Sequence, residues 1–262
     1  MPPGPSSRLA VMLRTVNATR YVTPLREGGS LPAVVEADDD GMYVLKFSGA
    51  GQGPKVLVAE LVAGELARAG GLAVPEIVFM ELDPDLARTE PDPEIQALIR
   101  ASAGLNIALD FLPGSVTFDP VVEKPAPALA SAIVWLDAFV SNVDRTARNA
   151  NMLMWHRQLW LIDHGAALYF HHSWDDQPDR SQDPFPRIKD HILLQFASAL
   201  PEADEVMTSR ITREVIHDIV ALIPEAWLGR NARSAYADYL TRRLASPRAF
   251  LKEAINAHAL LV

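Results

Sequence analysis

Between Ala128 and Asn142 the chain reads ALASAIVWLDAFVSN, a stretch that is apolar on nearly every side when wound as a helix. A helix with no polar face has to be wrapped all round, so it belongs at the centre of a domain rather than on its surface. The rest of the chain is large enough to wrap it: 262 residues, 49% hydrophobic and 22% charged, can bury a sizeable core, as one large domain or as two closely joined lobes. The helix also fixes the place of the next segment, because the polar run V-D-R-T-A-R-N, beginning with Asp144 as its first charge, emerges from its C-terminal end.

Upstream of this helix the pattern is mostly that of strands. Residues 1–7 are rich in Pro, Gly and Ser and are expected to fray. From Ala33, AVVEADDDGMYVLKF places two β-prone runs around an Asp-Asp-Asp-Gly turn and leaves Lys46 near the end of a strand. The connector SGAGQGP comes next, and then Val58, Leu61, Val62 and Leu66 recur at helical spacing until Gly70-Gly71 stops the helix. VPEIVFMEL reads as a strand, Asp83 to Glu94 as a surface excursion, and LNIALDFLPG as a strand ending in a Pro-Gly turn. A lobe boundary is expected there, giving residues 1–112 and 113–262.

Downstream, MLMW and LWLID around His156-Arg157-Gln158 form a small hairpin, and SWDDQPDRSQDPFP a long mobile loop. IKDHILLQFASAL, TREVIHDIVALI with Thr212 as cap, SAYADYLTRRLA, and PRAFLKEAINAHALL with Ser246 as cap are expected helices. Strands in front and helices behind make an α+β pattern with segregated halves.

The composition excludes several functions. A net charge of −9 argues against a surface built to track nucleic acid. The absence of cysteine removes disulfides, thiolate metal sites and cysteine nucleophiles. No run of about 18 apolar residues and no signal-like start is present, so no membrane span is expected and the default location is cytoplasmic.

What remains is chemistry built on oxygen ligands. Asp144 and Asn149 are five apart, and Asp163 closes the following hairpin. This is the order in which kinases place a substrate-orienting base, an Asn metal ligand and an Asp metal ligand. Carboxylates and amides suit Mg²⁺, a hard cation that also takes phosphate oxygens and water. A lone D-x-x-x-x-N is common by chance, but here a Lys on an early strand, Lys46, and a Glu on the next helix, Glu60 or Glu65, precede it in the order phosphate binding requires. Taken singly, Lys46 reads as an edge-strand lysine and either Glu as a solvated helix residue; jointly the set points to phosphoryl transfer.

Other features are weaker. Gly49, Gly51 and Gly53 read better as a strand-to-helix connector than as a phosphate loop. Arg145 either orients the loop, meets a phosphate or makes a surface salt bridge. His164, His171 and His172 invite a zinc site, but adjacent His171 and His172 are expected to point apart on a strand, and no H-x-x-x-H pair occurs. The five tryptophans are economically core or lobe-packing residues.

REGGSLPAVVEADDDGMYVLKFSGAGQGPK, AELVAGELARAGGLAVPEIVF, SNVDRTARNANMLMW, LIDHGAALYF and FPRIKDHILL together resemble the HipA-type kinases, in particular a compact stand-alone kinase-domain branch, over roughly Val16 to Leu200. The resemblance implies a two-lobed protein-kinase-like fold, related also to phosphoinositide kinases, with a β-rich nucleotide-binding N-lobe and a helical C-lobe carrying the catalytic loop and metal site. It implies ATP- and Mg²⁺-dependent transfer to a hydroxyl, in the best-studied members on protein Ser or Thr. Lys46 then looks like the ATP-phosphate lysine, Glu60 its helix partner, Asp144 the catalytic aspartate and Asp163 a metal ligand. Five-residue spacing favours Asn149 as the second metal ligand, with Asn151, directly before the strand, as the alternative. Gly28, Gly29 and Ser30 are candidates to cradle phosphate although R-E-G-G-S departs from G-x-G-x-x-G, and Asp110, Phe111 and Leu112 are candidates to border adenine. The resemblance to the compact branch implies a kinase domain without the extra N-terminal domain of larger members, so neither toxin activity nor a DNA-binding partner is expected. A nucleotide-binding pseudokinase is the alternative function. The acceptor and the oligomeric state have no signature in the sequence.

Overall fold

Alternation along β-prone runs builds the front of the molecule. The computed structural model describes residues 13–25, 31–176, 179–229 and 233–261, without the side chains of Ser173, Asp175 and Asp176. Within it β1 (Thr15–Pro24), β2 (Ala33–Ala37), β3 (Met42–Lys46), β4 (Ile77–Leu82) and β5 (Gly104–Asp110) close into a barrel in the order β1-β2-β3-β5-β4. All neighbours are antiparallel except β1 and β4, which run parallel through Thr15↔Phe79 and Asn17↔Glu81. In β3 the period of two sends Tyr43 and Leu45 into the barrel with Val35, Met80 and Ala108, and turns Val44 and Lys46 outward to a cleft.

Helix α1 (Pro54–Ala69) crosses the outside of the barrel, with Leu57, Leu61 and Leu66 buried against Ile77, Ile107 and Leu109. Gly64 permits this closeness, because a Cβ there would come within 2.5 Å of Ile77 Cδ1. The excursion after β4 holds a 3-10 turn (Pro84–Thr89) and leads into a helix that the sequence pattern hides, α2 (Pro93–Ala101), whose Asp92 cap accepts from Glu94 N at 2.9 Å.

The second half is organised around the apolar helix, α3 (Pro127–Phe139), in which Ile133, Val134, Trp135, Leu136 and Phe139 are fully or almost fully buried. Trp135 meets Phe139 and Phe250 at 5.2 and 5.4 Å. Burial of each such large side chain contributes about 1.5–3 kcal/mol. A three-stranded sheet, β6 (Val116–Thr117), β7 (Met152–Trp155) and β8 (Gln158–Leu161), flanks the cleft. The remaining helices are α4 (Leu200–Arg210), α5 (Arg213–Ala221), α6 (Glu225–Leu228), α7 (Arg233–Leu244) and α8 (Ala249–Ala259). Strands in front and helices behind make the two-lobed α+β arrangement expected from the sequence.

Several local expectations differ from the structure. IKDHILLQFASAL is not one helix but two short 3-10 turns, Pro186–Asp190 and Leu194–Phe196, with Ile188, Ile192, Leu193 and Leu194 buried in the core. Helix α4, LPEADEVMTSR, has no counterpart among the expected helices. Helix α8 is capped at Arg248 with no side-chain bond, so Ser246 is not its cap, whereas Thr212 caps α5 as expected, accepting from Val215 N at 3.3 Å. The hairpin turn is His156-Arg157 alone, with Gln158 already in β8. Among the described residues no helix is long and apolar enough to cross a membrane.

Candidate active site

The strand end that carries Lys46 and the hairpin end that carries Asp163 meet across the cleft. Lys46 Nζ donates to Asp163 Oδ1 at 2.7 Å, joining residues 117 positions apart. Burial works against the Lys46 charge, but the carboxylates of Asp163 and Glu60 outweigh it and hold the ammonium protonated above the ordinary lysine range. The geometry arises from sheet register: Asn151 and Ile162 flank the paired strands β7 and β8, with Ile162 N donating to Asn151 O at 3.1 Å, so Asp163 follows directly behind Asn151. Asn151 and Asp163 take φ of +49° and +54°, a left-handed backbone that Asn and Asp tolerate better than most side chains. Both hairpin ends turn sharply, toward one space.

Glu60, fully buried on α1, lies behind Lys46 but does not hold it in a hydrogen bond. Its Oε1 faces His164 Nδ1 at 3.4 Å instead. Burial favours neutral Glu60, yet the Lys46 charge, reinforced by His164, keeps the carboxyl below its usual range. Gly165 lets the segment after Asp163 pass close to α1, where a Cβ would stand 2.7 Å from Val56 Cγ1. Glu65 is elsewhere on the helix, 3.6 Å from Arg68, and takes no part.

Asp144 is tied to the same place by two amides. Asn149 Nδ2 donates to Asp144 Oδ2 at 2.6 Å and Asn151 Nδ2 to the same oxygen at 3.3 Å. Both Asn side chains line a cleft of about 520 Å³ together with Lys46, Asp163 and the connecting residues Asp110, Phe111 and Leu112. The walls include Val44, Leu109 and Leu153, an apolar slot ended by charge, which suits a ligand with a flat apolar part and an anionic tail. The N–H groups of Asp110 and Phe111 are engaged with Glu76 O at 2.8 Å and Met42 O at 3.0 Å, so neither is open to a ligand. Gly28, Gly29 and Ser30 lie outside the described residues.

The connector with Gly49, Gly51 and Gly53 is held as a connector: Ser48 N donates to Asn106 Oδ1 at 2.8 Å and Gly49 N to Ser102 Oγ at 3.0 Å. His171 and His172 do not point apart; on a 3-10 turn their Nε2 atoms stand 3.2 Å from each other. Among the described residues no three His, Cys, Asp or Glu side chains gather to hold a metal. Arg145 is only 1% exposed, which rules out the surface salt bridge. The partner of Arg145 is Asp137, which no motif singles out although it is the only charge in the apolar helical stretch.

Comparison with curated protein sequences returns no match. Among solved structures, a Helicobacter pylori proinflammatory kinase, CtkA, shares the fold at TM-score 0.56 and 14% identity, with 95% of this chain and 100% of that one covered. A Golgi casein kinase with Mn/ADP bound aligns at TM-score 0.54 and 14% identity, over 94% of this chain and 73% of that one. These likenesses make the fold protein-kinase-like. The family model described as HipA-like kinase matches residues 19–249, a span that holds every cleft residue described above. The chain therefore belongs to the HipA-like kinase family.

Proposed function

We propose that the chain is a kinase that transfers the γ-phosphate of ATP, with Mg²⁺, to a hydroxyl acceptor, protein Ser or Thr among the candidates. The lobes divide near Leu112, residues 1–112 binding the nucleotide and residues 113–262 carrying the catalytic loop. The observation that carries this reading is the 2.7 Å contact of Lys46 with Asp163 at the charged end of a cleft that Asn149 and Asn151 share.

Each residue has a role set by its chemistry. Lys46 neutralises phosphate oxygens, and Glu60 supports its charge from behind. Asp144, whose Oδ2 is steered by two amides, orients the acceptor hydroxyl and takes its proton. The donor set of Asp163 and an Asn amide, hard oxygen ligands with no sulfur, fits Mg²⁺, which when bound offsets phosphate charge. Asn149 is the preferred amide ligand, and Asn151 stands beside it. Adenine lies along Asp110, Phe111 and Leu112, reading backbone groups other than the two N–H groups already engaged, and Gly28, Gly29 and Ser30 cover the phosphates. Positioning and charge stabilisation supply the rate, since phosphoryl transfer asks little covalent chemistry of the protein. A cytoplasmic setting, with its supply of ATP and Mg²⁺, suits this activity.

One observation favours a second reading, a nucleotide-binding module without transfer: Glu60 hydrogen-bonds His164 rather than Lys46. Purified protein incubated with γ-labelled ATP and Mg²⁺, alone and with a Ser/Thr peptide panel, separates the two. Transfer that disappears in Asp144→Ala while nucleotide binding persists supports the kinase; binding without transfer supports the module; transfer unchanged in Asp144→Ala overturns the assignment of Asp144.

A further inference from the structure

Asp137 is completely buried near the end of α3, yet it accepts three hydrogen bonds. Asn142 Nδ2 donates to its Oδ1 at 2.9 Å, and Arg145 Nε and His191 Nε2 donate to its Oδ2 at 2.6 and 2.9 Å. His191 Nδ1 accepts from Leu193 N at 3.0 Å, which leaves Nε2 to donate to Asp137. Asp137 and Arg145 thus form one ion pair with no solvent exposure at either side chain.

Two of the three donors, Asn142 and Arg145, lead onward to the cleft. Asn142 uses its Oδ1 to accept from the backbone N of Asp144 at 3.1 Å. Arg145 extends Nη1 to the carbonyl of Asn151 and, at 3.5 Å, to that of Ile162. Those two carbonyls belong to Asn151 itself and to the residue preceding Asp163. One carboxylate therefore governs, through two intermediaries, the loop that carries Asp144 and both ends of the hairpin that carries Asn151 and Asp163.

A buried ion pair is weak evidence for stability, because desolvation consumes much of the Coulombic gain and an apolar replacement would often serve a fold as well. What an apolar replacement cannot do is hold three backbone points in one fixed relation. We propose that Asp137 and Arg145 are positioning residues that lock the catalytic loop to the metal-ligand hairpin, so that Asp144 and Asp163 address the same phosphate. The proposal rests on the kinase reading above.

The test uses Arg145→Lys, which keeps a cation beside Asp137 but lacks the separate Nε and Nη1 with which Arg145 holds Asp137 and the two carbonyls at once. Its control is Arg248→Lys in a partly buried pair away from the cleft, Arg248 with Asp204, where Nε and Oδ1 are 2.7 Å apart. Two readouts are taken: Mn²⁺ affinity by electron paramagnetic resonance with a non-hydrolysable ATP analogue bound, and kcat against KM for ATP.

Groups that support metal ligands typically change affinity or activity by about 10–100-fold when lost, so Arg145→Lys is expected to weaken Mn²⁺ and lower kcat by about that factor, with KM for ATP nearly unchanged. Arg248→Lys is expected to lower the melting temperature and leave both readouts alone. Arg145→Lys that loses melting temperature as the control does, with Mn²⁺ affinity and kcat intact, overturns the positioning role. The wild type judges the kinase reading separately: with Mn²⁺–nucleotide binding but no transfer, that reading fails while the Mn²⁺ comparison still decides the role of Arg145. Wild type that binds no Mn²⁺–nucleotide overturns both.

Discussion

Two buried carboxylates, Glu60 and Asp137, shape how this protein answers acid. For each, burial favours the neutral form and a neighbouring cation prevails, Lys46 for Glu60 and Arg145 for Asp137, so both remain ionised below the ordinary carboxylate range. A carboxyl depressed in the folded state contributes stability that is complete above its unfolded value, about 4, and is lost as pH falls toward the folded value. Urea midpoints should therefore begin to fall below about pH 6.5, where burial resists the protonation of His171 and His172 that the unfolded chain allows, and steepen below about pH 5, each carboxyl adding a slope of up to about 1.4 kcal/mol per pH unit. Glu60→Gln should flatten this limb, and a mutant as acid-sensitive as wild type would remove Glu60 as a cause. Lys46, Asp144 and Asp163 are legible in the sequence because each sits at the end of an element with a short-range pattern. Asp137 is not, although its isolation in an apolar stretch is visible: the sequence shows a charge in a core helix but not which distant groups, Arg145 and His191, satisfy it.

At the scale of elements, the β7–β8 hairpin that presents Asn151 and Asp163 is built at a local cost. Its two-residue turn, His156-Arg157, has φ of +49° and +63°, and left-handed backbone costs a non-glycine residue roughly 1–2 kcal/mol. Asn-Gly is the pair that such turns favour. His156→Asn with Arg157→Gly should raise stability by about 1 kcal/mol, or roughly 2–4 °C in melting temperature, with transfer unaltered because the turn is at the far end of the hairpin. A thermal melt checks it, and no gain would mean that the neighbouring rings hold the turn, Trp155 meeting His156 at 4.3 Å. The hairpin, α1, α5 and α7 are readable from periodicity and punctuation. Strand β1 is not, because Thr, Asn and Arg dominate it and only Val16 and Ala18 are buried. The segment around His191 misleads in the opposite sense: its apolar run suggests a helix, but tertiary packing and the Asp137 bond break it into short turns.

At the scale of the whole molecule, the halves share an apolar core and are joined by several polar ties, among them Lys46 to Asp163, Glu60 to His164, Arg210 Nη1 to Gly70 O at 2.7 Å, Leu161 N to Ala73 O at 2.8 Å and Trp227 Nε1 to Leu105 O at 3.3 Å. A nucleotide in the cleft would touch both halves and stabilise the folded chain by about 2.7 kcal/mol at a hundredfold excess over its Kd. For a protein of this length that corresponds to a rise of roughly 5 °C in melting temperature, which scanning fluorimetry should show with Mg²⁺–ATP and should not show in Lys46→Met. The segregation of strands and helices is legible from pattern alone, whereas the parallel pairing of β1 with β4 that closes the barrel joins residues some sixty positions apart and leaves no local mark. That closure has a consequence for traffic with other proteins. Exposed sheet margins are where a foreign peptide can dock as one more strand, and a strand ring offers no such margin. A visiting polypeptide finds the margin between β1 and β4 already taken from Thr15 to Asn17, and a route to Lys46 and Asp163 lies through the mouth of the cleft.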